Sequence, residues 1–114
     1  MSHQYALCCN DFYYQRKEGT IWKLSRKKNR WEKIQISVSE GMLYAFSNGK
    51  KKKYPLYRSH WELFHGYDTA WIIETITNQS IVLGTTDEIE MHKWLNYLKR
   101  QVLMVEETIE NIVF

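Results

Sequence analysis

The chain has 114 residues, 44% of them hydrophobic, with one proline, five glycines and a formal charge of +3. That is enough chain for one hydrophobic core and too little for two, and it exceeds the size at which disulfides or metals are usually needed to hold a domain together. A mean hydropathy of −0.54 and the lack of any apolar run of roughly 18 residues exclude a membrane-spanning helix. The opening Met-Ser-His-Gln-Tyr-Ala-Leu-Cys-Cys-Asn has no basic region followed by an apolar one, so a soluble, unsecreted domain is expected. Cys8 and Cys9 are adjacent and offer neither a disulfide framework nor spaced metal ligands; reduced thiols in a cytosolic setting are expected.

The net charge conceals an asymmetry. Residues 16–58 hold thirteen of the sixteen basic residues against Glu18, Glu32 and Glu40, a local charge of +10. Residues 59–114 carry −6 and Asp11 adds −1. One half of the chain therefore attracts polyanions and the other does not, which makes membrane lipid, nucleic acid or an acidic protein the candidate partners.

Residues 1–16 form a polar-aromatic extension with no assignable element. Beyond it, residues 19–24 are aromatic and β-branched and run into the polar stretch Ser25-Arg26-Lys27-Lys28-Asn29-Arg30, which reads as a strand and a loop. In residues 31–38, Ile34, Ile36 and Val38 alternate with Lys33, Gln35 and Ser37, the period of a strand with one buried face. Glu40-Gly41 supplies a tight turn, residues 42–46 a third strand, and Ser47-Asn48-Gly49 its end. Lys50, Lys51, Lys52 and Lys53 are then expected on an exposed loop. Residues 54–57 and 61–64 read as short strands, Pro55 placing the first at an edge or a strand start. Residues 70–76 and 80–84 complete the set, with Thr77-Asn78-Gln79 as a hairpin loop between them.

From Thr85 the period changes. Met91, Trp94, Leu95, Leu98, Val102 and Val105 recur every three or four residues, the stripe of an amphipathic helix with Glu90, Lys93 and Arg100 on its polar face. Thr85 and Glu88 have the spacing of a capping box, and Asp87 adds negative charge at the positive end of the helix dipole. Ile109, Ile112 and Val113 extend the stripe, giving a helix of roughly 20–27 residues and about 30–40 Å whose far end overhangs a small barrel.

Seven strands and a C-terminal helix make a mainly β domain. Lys17-Glu18-Gly19-Thr20-Ile21-Trp22-Lys23, then Trp31-Glu32-Lys33, then Gly41-Met42-Leu43-Tyr44-Ala45-Phe46, and finally Trp94 in the helix resemble the pattern of the pleckstrin homology (PH) domain over residues 17–104, with 105–114 as a helical extension. The resemblance implies two near-orthogonal antiparallel sheets, four strands and three, closed at one end by the helix and plugged by Trp94. It also implies a rim at the opposite end, formed by the loops after strands 1, 3 and 6, where many members bind phosphoinositide headgroups. On this chain the rim would hold Arg26, Lys27, Lys28 and Arg30, then Lys50, Lys51, Lys52 and Lys53, then Thr77 to Gln79. Members with tight lipid binding place a lysine late in strand 1 and a basic-x-arginine pair early in strand 2. Lys23 matches the first and Lys33 the second, while the arginine is replaced by Ile34 or Gln35 depending on register. The implied activity is therefore weak, loosely selective binding of anionic lipid by a cytoplasmic, peripherally membrane-associated signalling module. The alternative is a protein-interaction role, in which a peptide adds a strand beside the last helix.

Nothing in the chain suggests catalysis or a cofactor. His3, His60, His65 and His92 lack metal-ligand spacing, no serine or cysteine lies in a nucleophile elbow, and the glycines form no phosphate-binding loop. Nucleic acid is disfavoured because the loops of Arg26 to Arg30 and Lys50 to Lys53 contain no aromatic to stack on bases. Trp22 and Trp61 read either as packed strand residues or as aromatics for a membrane interface.

Overall fold

The computed structural model describes residues 17–113, with side chains described for residues 18–103. The expectations for residues 1–16, Cys8 and Cys9 among them, and for the side chains of Ile109, Ile112 and Val113 lie outside these. Seven strands are followed by one helix: β1 (Lys17–Ser25), β2 (Arg30–Ser39), β3 (Met42–Ser47), β4 (Lys50–Pro55), β5 (His60–Leu63), β6 (Ala70–Glu74), β7 (Ser80–Gly84) and α1 (Glu88–Val113). The strands form one sheet in the order β4-β3-β2-β1-β7-β6-β5. Every neighbouring pair is antiparallel, and β1 joins the four-stranded half to the three-stranded half through only two residue pairs, Trp22↔Gly84 and Lys23↔Leu83.

Hairpin geometry corrects the expectation for the lysine run. Glu40 and Gly41 both have positive φ, as do Asn48 and Gly49, so each pair forms the two-residue turn whose twist suits flanking antiparallel strands. A two-residue Asn-Gly turn leaves no room for a loop after it. Lys50, Lys51, Lys52 and Lys53 accordingly begin β4, paired with Ser47, Phe46, Ala45 and Tyr44. Lysines suit this place because β4 is an edge, and charge on an edge strand discourages pairing with other chains.

Alternation sorts the side chains into an inner and an outer face. Ile21, Ile34, Ile36, Val38, Leu43, Ala45, Tyr54, Trp71, Ile73, Ile81 and Leu83 belong to one buried cluster with Met91, Trp94 and Leu98 of the helix. Trp94 is 3% exposed, and its ring lies over Gly19, where a Cβ would stand 2.9 Å from Trp94 Cζ2. Glycine in this strand is thus the condition for the indole's close approach to the backbone. One turn further along than Leu98, Gln101 is fully buried and its Oε1 accepts a 3.0 Å hydrogen bond from Gly41 N–H, tying the helix to the β2–β3 turn. Helix α1 caps the end of the barrel at which Gly19 and Gly41 lie. Its cap is Asp87 rather than Thr85: Asp87 Oδ1 accepts from Glu90 N–H at 2.8 Å, while the Thr85 hydroxyl donates to the Asp87 carbonyl at 2.7 Å. A carboxylate is the stronger acceptor and sits where the dipole favours it, so the helix starts two residues later than the capping-box spacing implied.

Candidate functional site

From Gly19 under the helix, β1 runs roughly 20 Å to Ser25 at the far end of the barrel, at 3.3–3.4 Å per residue. There the four-residue loop 26–29, closed by Asn29 at φ 51°, sets the β1–β2 register so that Lys23 pairs with Glu32 and Ser25 with Arg30. Lys23 lies on the same face of β1 as core residue Ile21, so beyond the last apolar layer its ammonium enters the open end. A polar cleft of about 280 Å³ is formed there by Lys23 to Lys27, Lys52 and Tyr54 of β4, and Ser80 to Val82 of β7. Lys52 reaches it because its position opposite Ala45 is an inner one.

The third loop closes the same end. Thr75 N–H donates to Gln79 O at 2.8 Å, Asn78 N–H to Thr75 O at 3.1 Å, and Gln79 N–H to Thr75 Oγ1 at 3.1 Å, which stiffens the β6–β7 turn. Gln79 Nε2 then donates to the Lys53 carbonyl at 3.1 Å, linking this turn to β4. Tyr54 forms part of the cleft wall, and desolvation by burial raises its pKa above the ordinary 10.0; the phenol therefore remains neutral beside the cations.

The predicted basic residues separate into three groups, with Lys50 apart from them. Lys23, Arg26, Lys27 and Lys52 converge on the cleft. Lys28 and Arg30 border it but lie 3.4 and 3.6 Å from Glu32 Oε1, so part of their charge is offset. Lys33, Lys51 and Lys53 occupy outer positions, opposite Trp22, Phe46 and Tyr44; Lys33 Nζ stands 5.7 Å from the Trp22 ring centroid and Lys51 Nζ 5.2 Å from that of Tyr44. Lys50 shares the face of Lys52 beside the β3–β4 turn. Lys23 and Lys33, expected to contact one headgroup together, are placed by the register on opposite faces of the sheet. The inner β2 positions beside Lys23 are Glu32 and Ile34, an acid and a core residue.

Residues that the sequence reading did not single out also shape this end. Glu32 neutralises loop charge, and Ser80 and Tyr54 line the cleft. On the outer side, His60 and Glu62 of β5 and Glu74 of β6 bring their ligand-capable atoms within 4.8 Å of one another, a grouping created by the His60↔Glu74 pairing and invisible to linear spacing. All three are exposed, and His60 Nε2 lies 3.4 Å from Glu62 Oε2.

No family model matches the sequence, and no curated protein does. Solved structures do match in fold. The C-terminal PH domain of pleckstrin superposes with a TM-score of 0.65 at 13% identity, over 75% of this chain and 95% of that one. The PH domain of human oxysterol-binding protein-related protein 11 gives 0.65 at 16% identity over 86% of both chains. The pleckstrin domain has also been solved in complex with D-myo-Ins(1,2,3,5,6)P5, and that structure gives 0.65 at 13% identity over 75% of this chain and 93% of that one. Strand order, helix position and these superpositions define the class: the chain has the pleckstrin homology fold. No described helix is long and apolar enough to cross a membrane.

Proposed function

We propose that the chain is a non-catalytic membrane-targeting module that binds anionic lipid weakly through its open end, at the cytoplasmic periphery of a membrane. The observation that carries this reading is the convergence of Lys23, Arg26, Lys27 and Lys52 on one polar cleft, with no carboxylate among its described lining residues and Glu32 at its border. Each basic residue near an anionic bilayer contributes about 1 kcal/mol of attraction, so a handful suffices for reversible association. Stereospecific recognition of a polyphosphorylated ring requires fixed, multidentate donors on facing strands. Glu32 and Ile34 occupy those β2 positions, so attraction follows the amount of negative charge rather than its arrangement. The PH domain solved with an inositol pentakisphosphate supports a phosphate-bearing ligand class for the fold.

Co-sedimentation with vesicles that differ in headgroup but match in total charge, at two salt concentrations, tests the proposal. Binding that rises with negative charge, falls with salt and ignores headgroup isomer supports it; no binding to any anionic vesicle at low salt refutes it. A protein-interaction role is the second reading. It is favoured by an apolar groove of about 370 Å³ formed by Ser59 and Trp61 with Lys99, Val102 and Leu103 of the helix, next to β5, an edge strand of the sheet. In that role the same vesicle panel gives no retention.

A further inference from the structure

Among the described residues, one group of four neighbouring aromatic side chains on the outer side of the barrel stands outside the core. Trp22, Trp31, Phe64 and Tyr67 all stand apart from the buried cluster, and they adjoin one another. Trp31 pairs across the hairpin with Leu24 and meets the Tyr67 ring edge-on with centroids 5.4 Å apart. Tyr67 in turn stacks on Phe64 at 5.6 Å. The position of Trp31 is fixed from beneath: a Cβ on Gly84 would lie 3.0 Å from Trp31 Cζ3, so the indole rests on bare backbone. An apolar cleft of about 320 Å³ lies among Trp22, Trp31 and Tyr67. Tyr67 is 46% exposed and the nearby Leu63 61%.

The ridge is continuous with the basic end. Arg26, Lys27, Lys28 and Arg30 lie in the chain between Leu24 and Trp31, and Leu24 itself lines the basic cleft. We propose that this ridge is an interfacial anchor, which enters the headgroup and upper acyl region of an anionic bilayer while the adjoining basic loop lies over the phosphates. The inference rests on the reading of the open end as an anionic-lipid site and specifies which side of that end turns toward the membrane. Tryptophan and tyrosine have an apolar body and a polar tip that suit the membrane–water boundary. Charge attraction is screened within roughly 10 Å at 0.1 M salt, whereas burial of aromatic area is not, and durable surface attachment usually combines the two. The occupant is the bilayer itself rather than a free headgroup, because the ridge presents carbon where a soluble inositol phosphate offers only anionic oxygen.

The test compares the wild type with Tyr67→Ser, which alters an exposed loop residue, on vesicles of phosphatidylcholine with phosphatidylserine at about 0.1 and 0.5 M salt. Tyr67→Ser should weaken the binding that survives high salt by about three- to tenfold, the range for partial loss of one aromatic from an apolar contact. Alanine at Arg26 and Lys27 should act chiefly at low salt. Lipids brominated high on the acyl chain should quench the wild-type tryptophan emission, and Trp31→Phe should remove much of that quenching. If Tyr67→Ser binds like the wild type at both salts and brominated lipid leaves the emission unchanged, the ridge serves some other contact, such as a protein, and the anchor is refuted. In that case continued loss of binding on replacing Arg26 and Lys27 leaves the basic-end reading standing. Failure of the wild type to bind at either salt overturns both.

Discussion

The two ends of the barrel are built on different principles. At the closed end each contact is specified: Trp94 fits over Gly19, and the Gln101 amide oxygen is used by Gly41 N–H. At the open end the sequence supplies charge in quantity and little fixed geometry, with exposed cations around a cleft and Glu32 beside Lys23. On the proposed reading, stability resides at one end and interaction at the other, and substitutions should separate them cleanly.

The largest effect is expected from Trp94→Ala. Removing a buried indole costs about 3–5 kcal/mol, to be read from the denaturant midpoint, and should reduce lipid binding only as far as it unfolds the protein. Next comes Gln101→Ala, which leaves Gly41 N–H buried without its acceptor; about 1–3 kcal/mol of stability should be lost. If Gln101→Ala were neutral, the helix-to-turn tie would contribute nothing and the contrast between the ends would weaken.

A pH titration addresses the wall between core and cleft. Burial raises the pKa of Tyr54, and that of Tyr97, above the ordinary 10.0. The folded state therefore disfavours the phenolates relative to the unfolded chain. The stability linked to these groups is full below pH 10 and declines as pH rises through the raised values. Tyr54→Phe should flatten part of the alkaline fall in thermal midpoint and leave the remainder, due to Tyr97, in place. The smallest stability effect is expected at the open end, where Lys52→Ala should change folding by no more than about 0.5 kcal/mol. The same variant should weaken association with anionic vesicles by about fivefold at low salt, the equivalent of about 1 kcal/mol per lysine. A stability loss at Lys52 comparable to that at Gln101 would break the comparison.

Legibility followed the same division. Strand alternation in Ile34, Ile36 and Val38, and the three- and four-residue spacing of Met91, Trp94 and Leu98, display the closed end because burial imposes those periods. The run Lys50, Lys51, Lys52 and Lys53 hid a strand because four identical polar side chains carry no alternation; the signal lay in Asn48-Gly49, whose two-residue turn commits the next residue to pairing. Where the loop after Lys23 ended was not readable either. Only its four-residue length places Glu32, and not Lys33, across from Lys23, and a one-residue shift exchanges the two faces. Of the ridge only Trp22 was legible as an interface candidate; Tyr67 had no local signal, because Trp31 and Tyr67 meet through tertiary packing.

The central claim is that the open end recognises negative charge without recognising its arrangement. The most direct measurement is the dissociation constant for vesicles containing isomeric phosphoinositides and for phosphatidylserine vesicles matched in total charge, measured at low and high salt. The account predicts constants that coincide across isomers at matched charge and weaken together as salt rises. A strong preference for one isomer that persists at high salt would contradict it, because it would require fixed donors that Glu32 and Ile34 do not supply.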